Sequence, residues 1–211
     1  MSADADRRPQ AGSLFVIRHG QTDYNARDLL LGRRDIPLNE VGREQAVANG
    51  RSLPWLVAGA EHLDFYCGPL ARTVETMHLL RTAAGLDSSQ FKVDDALIEL
   101  DYGQWEGLTW EQVREQDPEG YQAWHADPVN YRLPGGESYA QLTARLEAFL
   151  ARRQRGTVIV SHGGISRVML GLLGGVERAL AIKIAIPQDR IMGLHAGAFA
   201  WLSAGTELHL R

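Results

Sequence analysis

The chain has 211 residues, of which 45% are hydrophobic, so it can bury a full core, and one α/β domain is expected rather than two. Its formal charge of -4 argues against a general nucleic-acid binder, whose footprint would be a basic surface, so any positive field must be local. A single cysteine, Cys67, excludes an internal disulfide, and no stretch reads as a secretion signal or a membrane span, which makes the cytoplasm the default location.

In chain order, residues 1–12 are polar, with Pro9 and Gly12, and are expected to form a flexible tail ahead of one domain over 13–211. Leu14, Phe15, Val16 and Ile17 then run straight into Arg18, His19 and Gly20, the pattern of a buried strand that ends in chemistry. Gly20 allows a sharp turn and a close approach by a ligand, and an anion is the natural guest beside Arg18. Gln21 to Asn39 reads as a loop punctuated by Gly32, Asp35 and Pro37, whose Arg33–Arg34 pair is either a second anion contact or a solvated pair. Asn39 caps a helix through about Leu53 that buries Val41, Ala46 and Val47, and Pro54 ends or bends it. A short apolar run, Phe65 to Cys67, leads through Gly68 at the cap and Pro69 at the first helical position into a second helix. That helix carries Leu70, Val74, Met77 and Leu80 as a core stripe and Arg72 in its first turn, leaning toward the carboxyl end of the strand before it.

Lys92 to Leu97 is a weak edge strand that delivers Glu99 just beyond its end. Residues 102–136 hold Tyr102, Trp105, Trp110, Tyr121, Trp124 and Tyr131, broken by Gly107 and three prolines, and are expected to form short helices as a lid. Thr109 with Gln112 makes a capping box there, and Pro118 suits a helix start after Asp117. The aromatics either stack on a ring of the ligand or cover the core. Ser138 with Gln141 caps a helix whose Tyr139, Leu142, Leu146 and Phe149 face inward and whose end carries Arg152, Arg153 and Arg155 in a structural role. Thr157 to Gly164 then repeats the first device: an apolar β run, Ser161, His162 and Gly163. A buried helix over Ile165–Leu173 stopped by Gly174–Gly175, one further helix, and a hairpin of Ile191–His195 with Phe199–Leu202 close the chain. The alternation of strand and helix gives a mainly parallel sheet with helices on both faces.

Taken together these motifs resemble the histidine phosphatase, or phosphoglycerate mutase-like, superfamily. The resemblance rests on Arg18-His19-Gly20-Gln21-Thr22 with Asn25, Pro69-Leu70-x-Arg72 with Thr76, and Glu99 with Trp105-Glu106-Gly107. Pro134-Gly135-Gly136-Glu137-Ser138 and Ser161-His162-Gly163 complete it, so it spans most of the chain. It implies a three-layer α/β/α sandwich, phosphoglycerate mutase-like, and a metal-independent reaction without cofactor. It also implies that His19 becomes a phosphohistidine, that Arg18, Asn25, Arg72 and His162 bind the phosphoryl group, and that Glu99 serves as acid and then base. Gly20, Gln21, Thr22 and Gly163 join the phosphate-binding set by the same motifs. The chain departs from the family pattern at Gly68, where a serine is usual, and at Thr73 and Met77, where alanines are usual.

That chemistry suits the residue types. Phosphoryl transfer needs negative oxygens neutralised and held in line with a nucleophile. Neutral imidazole is such a nucleophile, and Arg18 and Arg72 disfavour added charge on His19. His162, if protonated, donates to phosphoryl oxygens, and a carboxyl group such as Glu99 can protonate a leaving alkoxide. The partner expected is a small phosphorylated substrate, with no nucleic acid and no membrane; a homodimer is compatible with the sequence. Phosphoglycerate mutase-type transfer and a non-catalytic phospho-ligand module are the alternatives, while Cys67 lacks the spacing of a cysteine phosphatase and reads as an ordinary strand residue.

Overall fold

Residues 13–153 and 156–203 are described by the computed structural model; the expected tail at 1–12 and Arg155 lie outside the described residues. Six strands form one sheet: β1 (Leu14–Arg18), β2 (Asp64–Cys67), β3 (Lys92–Val93), β4 (Thr157–Ser161), β5 (Ile191–His195) and β6 (Ala198–Leu202), in the order β3-β2-β4-β1-β5-β6. The pairs β1–β4, β2–β4 and β2–β3 are parallel, and the closing hairpin adds β5 and β6 antiparallel beside β1. The two-residue periodicity of a strand splits the core cleanly. Val16 and Ile159 face one apolar cluster with Leu142, Leu146, Ile165 and Met169, while Ile17, Val158 and Val160 face another with Leu53, Met77 and Leu80.

Among the described residues eight α-helices surround the sheet: α1 (Asp23–Ala26), α2 (Glu40–Leu56), α3 (Ala71–Ala83), α4 (Trp110–Gln116), α5 (Pro118–Ala126), α6 (Tyr139–Ala151), α7 (Gly163–Leu173) and α8 (Arg178–Ala181). The expected capping boxes at Thr109–Gln112 and Ser138–Gln141 are formed, and Asp117 caps the helix that begins with Pro118. Thr73 and Met77 fit their helix: the Thr73 hydroxyl donates to the carbonyl oxygens of Gly68 and Leu70, and Met77 is fully buried.

Several expectations are corrected. The loop after β1 contains α1, four residues set by a Thr22–Asn25 capping box. The stretch from Lys92 is only a two-residue strand followed by a tight turn at Asp95–Leu97, so a 3₁₀ turn and not a strand end delivers Glu99. The first helical residue of α3 is Ala71 with Leu70 at the cap, which leaves Gly68 and Pro69 in the connecting turn. Val41 is 46% exposed, and α2 instead buries Gly42, Ala46, Asn49, Gly50 and Leu53, passing through Pro54 and stopping within a turn of it.

Small residues win on that face because the helix lies directly on backbone: a Cβ on Gly50 would come 2.3 Å from the Leu80 carbonyl oxygen of α3. Gly50→Ala is therefore expected to destabilise the protein by about 1–3 kcal/mol despite a helix-propensity gain of about 1 kcal/mol, read from urea unfolding. Unchanged stability would show that the α2–α3 spacing adjusts freely.

Candidate active site

The parallel register of β1 and β4 pairs Arg18 with Ser161, so the next residue of each strand, His19 and His162, emerges side by side. The His19 N–H donates to the Ser161 carbonyl at 2.8 Å, which extends the ladder by one bond and pins the exit of β1. The two imidazole rings meet edge to face, with centroids 5.2 Å apart and planes at 65°. His19 Nδ1 lies 2.7 Å from the Gly20 carbonyl oxygen. A carbonyl only accepts, so Nδ1 carries the proton and the Nε2 lone pair is left for chemistry.

Arg18 and Arg72 flank this pair from β1 and α3. Arg18 Nη1 donates to the Ile186 carbonyl at 2.8 Å, and Arg72 donates through Nη1 to Arg34 and through Nη2 to Gly32, at 2.6 and 2.8 Å. Their Nε atoms, together with both ring nitrogens of His162, are buried without a hydrogen-bond partner. Buried donors in that state are uncommon and call for a ligand. Burial, followed by the like charge of Arg167, lowers Arg18 to about 10, so it remains a cation at neutral pH. Burial and the charges of Arg72 and Arg18 hold His19 well below the usual histidine range. The same forces act on His162, so the condition under which it would donate as a cation is not met without a ligand: burial and the neighbouring charges keep its ring neutral, with a single N–H to offer. A dianionic phosphoryl group between the guanidiniums would act in the opposite direction.

Glu99 faces the same point from the other side. Its Oε1 accepts the Leu100 N–H at 2.8 Å and its Oε2 the Gly164 N–H at 3.2 Å, at the positive end of α7. A Cβ on Gly164 would come 2.5 Å from Glu99 Oε1, so the second glycine after His162 makes room for the carboxylate. The absent side chain of Gly68 has a comparable use: a Cβ there would meet the Leu97 carbonyl at 2.7 Å and His162 Nε2 at 3.2 Å.

A cavity of about 610 Å³ opens onto Arg18, His19, Asn25, Glu99 and Gly163, walled by Tyr102, Trp110, Trp124 and Tyr139. Arg72 and His162 are fully buried and do not line it. Nor do Gly20, Gln21 and Thr22, which serve the scaffold. Gly20 packs on Gly42, Gln21 bonds Gln45 and Asn39, and Thr22 caps α1. The Asn25 carboxamide oxygen accepts from the Thr22 N–H and from Gln188 Nε2. Gln188 also donates to the His19 carbonyl at 3.0 Å, and nothing in its sequence surroundings marked it. Arg167 was missed as well, although a lone charge within the apolar run Ile165–Leu173 was a readable signal. Burial pushes the Cys67 thiol up to about 12, which removes it as a nucleophile.

The family model for the histidine phosphatase superfamily (branch 1) matches residues 14–201. The chain belongs to that superfamily. Phosphoserine phosphatase 1 of Hydrogenobacter thermophilus is 34% identical over 78% of this chain and 77% of its own length. A bifunctional protein of Mycobacterium tuberculosis is 31% identical over 86% of this chain, which spans only 47% of that relative. The solved structure of a mycobacterial glucosyl-3-phosphoglycerate phosphatase superposes with a TM-score of 0.74 at 28% identity, covering 92% of this chain and 98% of the other. The protein is thus a histidine phosphatase, an enzyme of a metal-independent family. Among its described residues no helix is long and apolar enough to cross a membrane.

Two histidines held neutral by this enzyme make stability depend on pH. Below the unfolded-state value of 6.5 the unfolded chain binds more protons than the native one, so stability is complete above 6.5 and falls as the pH drops below it. Each histidine contributes up to about 1.4 kcal/mol per pH unit on that acid limb. His162→Asn is expected to flatten the limb in urea titrations between about pH 5 and 7. The same slope in both proteins would mean that the folded state already carries the proton.

Proposed function

We propose that the chain is a phosphomonoesterase that hydrolyses a small phosphorylated metabolite through a phosphohistidine on His19, with Glu99 as general acid and then base. The observation that carries this reading is the set of unpartnered buried nitrogens of Arg18, Arg72 and His162 gathered around a histidine whose Nε2 lone pair is free. Three groups there favour the oxygens of a phosphoryl dianion, and the fourth attacks its phosphorus.

In the first step His19 Nε2 forms a bond to phosphorus as the P–O ester bond breaks, and the Glu99 carboxyl gives its proton to the departing alkoxide oxygen. The positive charge that appears on the His19 ring is stabilised by its Nδ1–H bond to the Gly20 carbonyl. In the second step the Glu99 carboxylate takes a proton from water as that water attacks phosphorus, and the P–N bond breaks to release phosphate and restore neutral His19. Arg18, Arg72 and His162 hold the three phosphoryl oxygens throughout. The cavity has the size usual for small-molecule sites, and the names of the relatives, phosphoserine and glucosyl-3-phosphoglycerate phosphatases, support a metabolite as substrate.

The test is rapid-quench trapping of an acid-labile phosphoenzyme during hydrolysis of an aryl phosphate, with chelator present. Wild type is expected to show the intermediate and phosphate release, and His19→Ala to lose both by at least ~10³-fold. Release without a trapped intermediate, or an active His19→Ala, would overturn the mechanism; an intermediate that water barely attacks would point to phosphoryl transfer back to a substrate.

A further inference from the structure

Glu99 lies on a stretch that neither helix nor sheet secures, because β3 ends at Val93 and the turn at Asp95–Leu97 makes two main-chain bonds and one to the Asp94 side chain, all of them before Glu99. Its main-chain carbonyls are nevertheless satisfied, one after another, by side chains. Arg145 of α6 donates through Nη1 to the carbonyls of Ala96 and Ile98 at 2.6 and 2.8 Å, and through Nη2 to that of Glu99 at 3.4 Å. The Leu97 carbonyl takes the Ser161 hydroxyl at 2.8 Å, and Arg33 Nε adds a second donor to the Glu99 carbonyl at 3.4 Å. The clamp is itself anchored: Arg145 pairs with Glu137 through Nε and Nη2 at 3.2 and 2.9 Å, and Glu137 also meets Arg33 at 3.3 Å. Only a planar fork with several fixed donors can bridge alternate carbonyls and a carboxylate at once.

We infer that Arg145 is a positioning residue for the general acid, setting where the Glu99 carboxyl stands relative to the leaving oxygen. This rests on the acid role proposed above for Glu99. Arg145 does not line the cavity, so it acts through the backbone of 96–99 and not on the substrate. The consequence is selective. A proton from Glu99 matters greatly when the leaving group is a poor one, such as an alkoxide, and little when it is an activated phenolate. Loosening the clamp therefore slows alkyl phosphates more than aryl phosphates and leaves formation of the phosphohistidine from activated esters nearly intact. A residue that merely stabilised the fold would slow every ester in parallel.

The experiment measures kcat/KM, which reports the steps through departure of the leaving group, for a series of phosphomonoesters from p-nitrophenyl phosphate to simple alkyl phosphates. Wild type, Glu99→Gln, Arg145→Met, Arg145→Lys and Glu137→Gln are compared, with melting temperatures alongside. Glu99→Gln is expected to steepen the dependence on leaving-group pKa, and Arg145→Met to reproduce that steepening, with alkyl esters falling at least ~10-fold further than p-nitrophenyl phosphate. Arg145→Lys, which keeps the charge but cannot span the carbonyls, should fall between wild type and Arg145→Met. Should Arg145→Met not fold, Arg145→Lys and Glu137→Gln decide by the same slope. A parallel loss across all esters, or no loss, beside a steep Glu99→Gln would overturn the clamp alone. A flat slope for Glu99→Gln itself would overturn the acid role, and the clamp with it.

Discussion

Two guanidinium groups are buried against two imidazoles without a carboxylate in contact, and the rest of the site follows from that cost. Desolvation disfavours each charge; the hydrogen bonds that hold each group run to main-chain carbonyls, Ile186 for Arg18 and Gly32 and Arg34 for Arg72, while Glu99 offsets part of the cost for both from a distance, with Asp35 and Glu106 adding to it at Arg72. Arg167 also places its Nε on a main-chain carbonyl, that of Ile184, but is supported in addition by Tyr139 and Glu99. Arg33, Arg43, Arg145 and Arg152, by contrast, all pair with carboxylates. Carbonyl dipoles hold a guanidinium in place without an ion pair, so burial together with the positive field at His19 keeps the ring neutral. The segments 32–34 and 184–186 must therefore run past the site whatever the substrate is.

The sheet brings the two histidines together because β1 and β4 are parallel neighbours in fixed register. A slip by one residue would turn Val16 and Ile17 to the wrong cores, so the burial that stabilises the sheet also fixes where His19 and His162 emerge. Glycines at the exits then allow approaches that a Cβ would block, Gly20 on Gly42 and Gly164 on Glu99. Rigidity here is a product of packing and not of the catalytic residues themselves.

This division explains what could be read in advance. The repeated apolar run ending in a His–Gly pair is a local signal, and so is an arginine two residues into a helix after a strand, which is why His19, His162 and Arg72 stood out. Asn25 was legible by resemblance, yet α1 itself was not, because four residues are too few for a helical period and the cap partner is an asparagine where a glutamate or glutamine is the usual sign. Val41 was misplaced for a similar reason: apolar spacing says which face could be buried, but the close contact with backbone selected the face bearing Gly42 and Gly50. Arg145 and Gln188 were invisible since their partners, 96–99 and His19, are brought to them only by the fold.

The structure also decides what the Arg33–Arg34 pair does. The sequence left it either as a contact for a second anion or as a solvated pair; both arginines are exposed, as the second reading has it, and both are also ion-paired. Arg33 is engaged by Asp101 and Glu137, and Arg34 by Glu106, so the pair ties the loop after α1 to the segment that carries Glu99 and to the aromatic wall beyond. Neither arginine lines the cavity. The cations that do line it besides Arg18 are Arg167 and Lys183, and the surfaces around them come from 28–32, 102–124 and 182–188, outside the sheet. The two histidines stand at strand ends, and most of the wall stands on helices and connections beyond the sheet, so the two can vary separately. That separation is consistent with similar proteins being named for different phosphorylated substrates.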